Sequence, residues 1–214
     1  MKRICKLTAA LGVLLAAGGL LAAEKLLKLP AAQTTGGKSI MECLTLRRST
    51  KAFVPGKRLD FQQISNILYA ANGINRRNGK LTIPTARNLQ NQSVYAVLPD
   101  GVYIYKPADN LLELVRAGQF MDKCGRQLYC RNASMILIYA ANMAAVGGTN
   151  EGNAMCAGTH AGSSAQNVYL YAASENLGTV ICGNFDEKKL SRMLRLPAAY
   201  KVIYIQPVGF PAQQ

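Results

Sequence analysis

Arg47, Arg48, Ser49 and Lys51 crowd three cations and a serine hydroxyl into five residues, and Phe53 follows close behind. Side chains alternate along an extended chain, so Arg47, Ser49 and Lys51 would share one face while Phe53 anchors the run to a core. A guanidinium, a hydroxyl and an ammonium pointing together suit a phosphate and the polar groups beside it. Taken alone, the run also reads as a solvated basic turn, so other segments must decide. His160, the only histidine, stands in Gly158-Thr159-His160-Ala161-Gly162 ahead of a long apolar-periodic segment. It could donate a proton to a reduced substrate or support the start of a helix. Cys156 lies four residues earlier, but no Cys-x-x-Cys pair or second histidine completes a tetrahedral set, which argues against a metal site.

The elements that must position these groups belong to a chain of 214 residues, half of them hydrophobic, enough to bury one core or at most two. The formal charge of +14 favours anionic partners. The cations are scattered and no aromatic-bearing nucleic-acid module is present, which argues against nucleic acid. Residues 1–23 read as a secretory signal: Met1-Lys2-Arg3, an apolar run from Leu7 to Ala23, and small residues at Ala22 and Ala23. Cleavage leaves an exported, periplasmic protein with no stable membrane association and a charge of about +11; an uncleaved anchor is the alternative. Cys43, Cys124, Cys130, Cys156 and Cys182 then remain, an odd number for an oxidising compartment.

Residues 24–38 read as a linker and 39–214 as the domain. Ile40 to Leu44 forms a short helical face, and Asp60 with Gln63 marks a capping box ahead of a helix that stops at Asn72-Gly73. Val94 to Leu98 and Val102 to Tyr105 flank the turn Pro99-Asp100-Gly101 as a hairpin. Leu111 to Arg116 and about Phe120 to Arg131 read as helices, and Met135 to Ala141 as a buried strand. The glycine-containing stretch Ala144 to Asn153 reads as a loop, Ala161 to Asn176 as a helix, Val180 to Cys182 as a strand, Asp186 as the cap of a helix through Leu194, and Lys201 to Val208 as a last strand. The sum is one α+β domain with a central, mostly antiparallel sheet.

In order, Arg-Arg-Ser-Thr-Lys-Ala-Phe at 47–53, Pro-Thr-Ala-Arg-Asn-Leu-Gln at 84–90, Gln-Asn-Val-Tyr-Leu at 166–170, Ser-Glu-Asn-Leu-Gly-Thr-Val at 174–180 and Pro-Val-Gly-Phe-Pro at 207–211 resemble the FMN-dependent nitroreductase superfamily. The nearest resemblance is to its short, exported members related to the azoline-forming (thiazole and oxazole) dehydrogenases. It implies a three-layer fold with helices flanking the sheet, and a homodimer with FMN at the interface. By the same resemblance Arg47, Arg48 and Ser49 would hold the phosphate and ribityl end, and Lys51 would lie near N1 and O2 of the ring. Pro84, Thr85, Ala86, Asn88 and Gln90 would form the segment sent in from the partner subunit. Gly183 and Asn184 would face N5, with Arg126 close to the flavin. The implied activity is ping-pong oxidoreduction, toward a nitro or quinone acceptor or from an azoline-like substrate. The electron donor would be NAD(P)H, a quinol or a redox protein. Two departures leave an alternative open, a flavin-binding or redox-inactive accessory protein: no Lys/Arg phosphate clamp follows Gly209-Phe210-Pro211, and Cys182 stands where related short proteins often carry arginine.

Overall fold

The computed structural model describes residues 26–212, so the expected signal at 1–23 lies outside the described residues. Among those residues seven strands make one sheet: β1 (Leu26–Lys28), β2 (Gln92–Leu98), β3 (Gly101–Lys106), β4 (Leu111–Ala117), β5 (Met135–Asn142), β6 (Gly178–Thr179) and β7 (Tyr200–Gly209), in the order β1-β4-β3-β2-β5-β7-β6 with antiparallel neighbours. The centre of this sheet is apolar on both faces, so it needs a layer on each side. Met135, Leu137 and Tyr139 of β5 pack with Val94, Ala96 and Leu98 of β2 against α2 (Phe61–Asn72) and α5 (Asn150–Ser174). The alternate residues Ile136, Ile138 and Ala140 meet α3 (Met121–Cys124), α4 (Tyr129–Asn132) and α6 (Glu187–Leu194) through Cys124, Cys130, Leu190 and Met193. The expected α+β, three-layer fold is the one observed.

Local chemistry sets most boundaries. Ser39 caps α1 (Ile40–Leu46): its hydroxyl accepts from Glu42 N–H, and the Glu42 carboxylate accepts from Ser39 N–H. Asp60 and Gln63 make the same reciprocal pair at α2. α5 is longer than its apolar pattern suggested, because Thr149 caps it twelve residues before Ala161 by accepting from Gly152 N–H.

Two expected helices give way. Leu111 to Arg116, read as helical, is strand β4: its apolar spacing fits either period, and pairing with β1 and β3 decides. The expected helix from Phe120 to Arg131 is broken at Gly125, which is extended and has Cys130 Sγ within 2.5 Å of where a Cβ would stand. Within the stretch read as linker, Leu26 to Lys28 pairs with β4, and Lys38 Nζ donates to Ser174 O and Asn176 Oδ1.

Candidate active site

The Arg47–Phe53 run is extended and stapled on both sides by main-chain bonds. Thr50 N–H donates to Thr179 O (2.9 Å) and Ser49 bridges Thr179 in parallel. Val54 N–H donates to Phe210 O (2.9 Å), Ala212 N–H donates to Ala52 O (3.0 Å), and Phe53 is buried. The run lies so close to β6 that a Cβ at Gly178 would stand 2.6 Å from Thr50 Cγ2.

Tyr169, on the inner side of α5, gathers this region. Its ring lies under the Arg47 guanidinium at 4.8 Å, its hydroxyl is 2.9 Å from Ser49 Oγ, and it accepts from Ile181 N–H at 3.0 Å. Arg47 Nε is buried without a partner among the described residues. A buried charged donor left unpaired is costly, so it invites an acceptor, and an anion above all. A cavity of about 190 Å³ is lined there by Arg47, Arg48, Thr50, Tyr169, Asn176 and Thr179. Lys51 is exposed at its edge of the run.

Ile181 leads the chain directly into Gly183 and Asn184, both exposed. Asn184 O accepts from Arg126 N–H (3.3 Å), so this backbone contact joins two of the expected flavin residues. Cys182 Sγ donates to Gln127 Oε1 (3.2 Å). Gly183 lies by the Tyr204 ring, and Tyr204 lines a cavity of about 630 Å³ with Met143, Asn153, Lys201 and Ile203. Cys124 and Cys130 flank the Arg126 turn, and burial pushes both thiols up to about 12, which keeps them protonated and poor nucleophiles. All five cysteines within the described residues are free.

The remaining expected residues form a separate cluster. In Pro84 to Gln90, Arg87, Asn88 and Gln90 all have left-handed backbone (φ 50, 56 and 46). Side chains hold this shape: Thr85 Oγ1 accepts from Gln90 N–H (3.2 Å), Gln90 Nε2 donates to Gly79 O (3.0 Å), and the Arg87 guanidinium donates to Val146 O. His160 belongs here, within α5 and not at its start. Its Nε2 accepts from Ala86 N–H (2.8 Å), and its Nδ1 meets Asn91 Oδ1 (3.1 Å). Burial lowers its pKa.

The structure therefore brings Arg47, Arg48, Ser49, Lys51, Arg126, Gly183 and Asn184 into one region, and Pro84, Thr85, Ala86, Asn88, Gln90 and His160 into another. His160 and Tyr169 are nine residues apart on α5, which puts them about 13 Å apart along the axis and half a turn around it. Sequence reasoning passed over Tyr169 and Asn91 as site residues. Tyr169 had a signal, a phenol inside the Gln166–Leu170 motif on the inward helix face.

The Nitroreductase family profile matches residues 44–210. A protein of Methanocaldococcus jannaschii, provisionally named a nitroreductase, is 27% identical over 179 residues, covering 78% of this chain and 89% of its own. A crystal structure of a provisionally named nitroreductase from Ralstonia eutropha superposes with a TM-score of 0.84 at 32% identity, covering 90% of this chain and 92% of that one. A provisionally named NAD(P)H:FMN oxidoreductase of Staphylococcus epidermidis shares the fold at a TM-score of 0.62 and 14% identity, over 86% of this chain and 92% of that one. With the family profile matched over most of its length, the chain belongs to the nitroreductase family.

Proposed function

We propose that this protein is an exported, homodimeric FMN oxidoreductase in which each flavin lies between the Arg47 region of one subunit and the Pro84 loop of the other. The observation that carries the reading is the buried, unpartnered Nε of Arg47, stacked on Tyr169 beside a small cavity. That donor fits a phosphate, so the residues present fit the cofactor. The two clusters lie about 13 Å apart along α5 and half a turn around it, a separation that fits sites shared between two subunits. The α1 face, with Ile40, Met41, Leu44 and Leu46 exposed, offers apolar surface for a second copy.

When bound, FMN supplies two-electron chemistry at N5. Arg47, Arg48 and Ser49 hold the phosphate end. Lys51 places an ammonium where negative charge would gather, which favours reduction. The exposed Gly183–Asn184 backbone offers N–H groups to the reactive edge. Substrate would enter the 630 Å³ cavity beside Gly183, where Met143 and Ile203 contribute apolar lining. A donor and then an acceptor of nitro or quinone type use that place in turn; an azoline-like peptide would use it in the opposite direction. In an exported setting a quinol or redox protein replaces NAD(P)H as donor. The accessory-protein alternative rests on Cys182, which is buried where related short proteins often carry an arginine.

Purified residues 24–214 with added FMN should show a resolved flavin band, shifted from that of free FMN and bleached by dithionite. A colourless protein that leaves added FMN free removes the reading.

A further inference from the structure

The Pro84–Gln90 loop carries three non-glycine residues with left-handed backbone, a costly shape that persists only where surrounding bonds enforce it. One of those bonds fixes the chemistry of its acceptor. His160 Nε2 receives the Ala86 N–H at 2.8 Å, so that nitrogen carries no proton. The proton of the neutral ring then sits on Nδ1, directed at Asn91 Oδ1 at 3.1 Å. Asn91 is oriented in turn, because its Nδ2 donates to Asn142 O at 3.1 Å, at the end of β5. A rigid strand thus sets an amide, the amide sets a tautomer, and the tautomer holds the loop.

We infer that His160 is a positioning residue: as the neutral, Nδ1-protonated imidazole it holds Ala86, and with it the Pro84–Asn88 segment, in the one shape that completes the flavin site of the partner subunit. This rests on the flavin reading above. It assigns His160 no proton transfer to substrate, because both ring nitrogens are already engaged within the fold.

Protonation would put an N–H on both ring nitrogens and set one of them against the Ala86 N–H, so the loop would lose this hold. Among the described residues no neighbouring carboxylate compensates. The chargeable groups on the packed elements are Arg87 on the loop, whose guanidinium is committed to Val146 O, Glu151, Cys156, Tyr169 and Tyr171 on α5, Tyr95 on β2, which faces the other side of the sheet, and Tyr139 on β5. Glu187 of α6 shares a cavity with Gly158, two residues from His160 and on the other side of the helix. The neutral imidazole is also the form that burial favours. The hold is therefore complete above the ordinary histidine value of 6.5 and is lost as pH falls through the lower folded value.

The single histidine makes the test clean. In untagged, 15N-labelled protein, the one imidazole should report a proton on Nδ1, a pKa below 6.5 and loss of Ala86 amide protection in step with its titration. FMN affinity of the wild type should fall about tenfold more per pH unit below that pKa than that of His160→Gln, whose carbonyl can accept from Ala86 without titrating. An Nε2-protonated ring, Ala86 protection indifferent to pH, or identical pH profiles for the two proteins would each overturn the inference. The NMR arm needs no flavin and is read on the wild type, so it stands if His160→Gln fails to fold. If neither protein binds FMN while the tautomer and the coupled loss of protection are found, the flavin reading fails and the loop clamp stands.

Discussion

The two halves of the proposed site are built by opposite means. The Arg47–Phe53 run is regular extended backbone, held by main-chain bonds to Thr179, Phe210 and Ala212, so its shape does not depend on the side chains that would meet a ligand. The Pro84–Gln90 loop is irregular, with left-handed residues, and is held by side chains of His160, Thr85, Gln90 and Arg87. A main-chain scaffold tolerates change in its side chains; a side-chain scaffold does not. Substitutions in the first half should alter ligand binding with the fold intact, whereas substitutions under the second should disturb the loop itself.

The largest effect on binding should come from Arg47→Ala. Loss of a charged, desolvated donor costs about 1.5–3 kcal/mol, so FMN affinity measured by fluorescence quenching should fall about ten- to a hundredfold, with little change in thermal stability. Gly178→Val attacks the scaffold instead. Its side chain would displace Thr50 and pull the run from β6, costing about 1–3 kcal/mol in chemical denaturation. Tyr169→Phe should cost about 1 kcal/mol of stability, since Ser49 and the Ile181 N–H lose a partner, and should weaken FMN severalfold. The smallest change is expected from exposed Lys51: Lys51→Ala should lower the flavin midpoint potential by on the order of 30 mV and slow turnover, with the dimer unchanged. An unaltered potential takes Lys51 out of the mechanism.

The contrast between the halves also explains what could be read from the chain. Alternation along Arg47 to Phe53 announces an extended run, and Asp60 with Gln63 announces a cap, because both are local signals. The bond from Ala86 to His160 spans 74 positions and has no periodicity to betray it. Leu111 to Arg116 failed for a similar reason. Leu111, Leu112, Leu114 and Val115 satisfy a helical spacing, and only the pairing of β4 with β3 and β1 makes them a strand. The start of α5 was missed because Asn150 to His160 is polar and glycine-containing, so the helix there rests on the Thr149 cap and on packing of Ala157 and His160. The motifs at 47–53 and 84–90 were legible as pieces; their separation on two sides of one helix was not.

The most direct test of the account is flavin stoichiometry in a mixed dimer. One subunit carries Arg47→Ala; the other carries glycine at Thr85, Ala86 and Asn88. Neither homodimer should hold FMN at the wild-type affinity. If each site takes its Arg47 region from one subunit and its Pro84 loop from the other, the heterodimer has one site with both halves damaged and one with both intact, and it should bind one FMN. A heterodimer that binds none would show that both halves serve the same subunit, and would contradict the account.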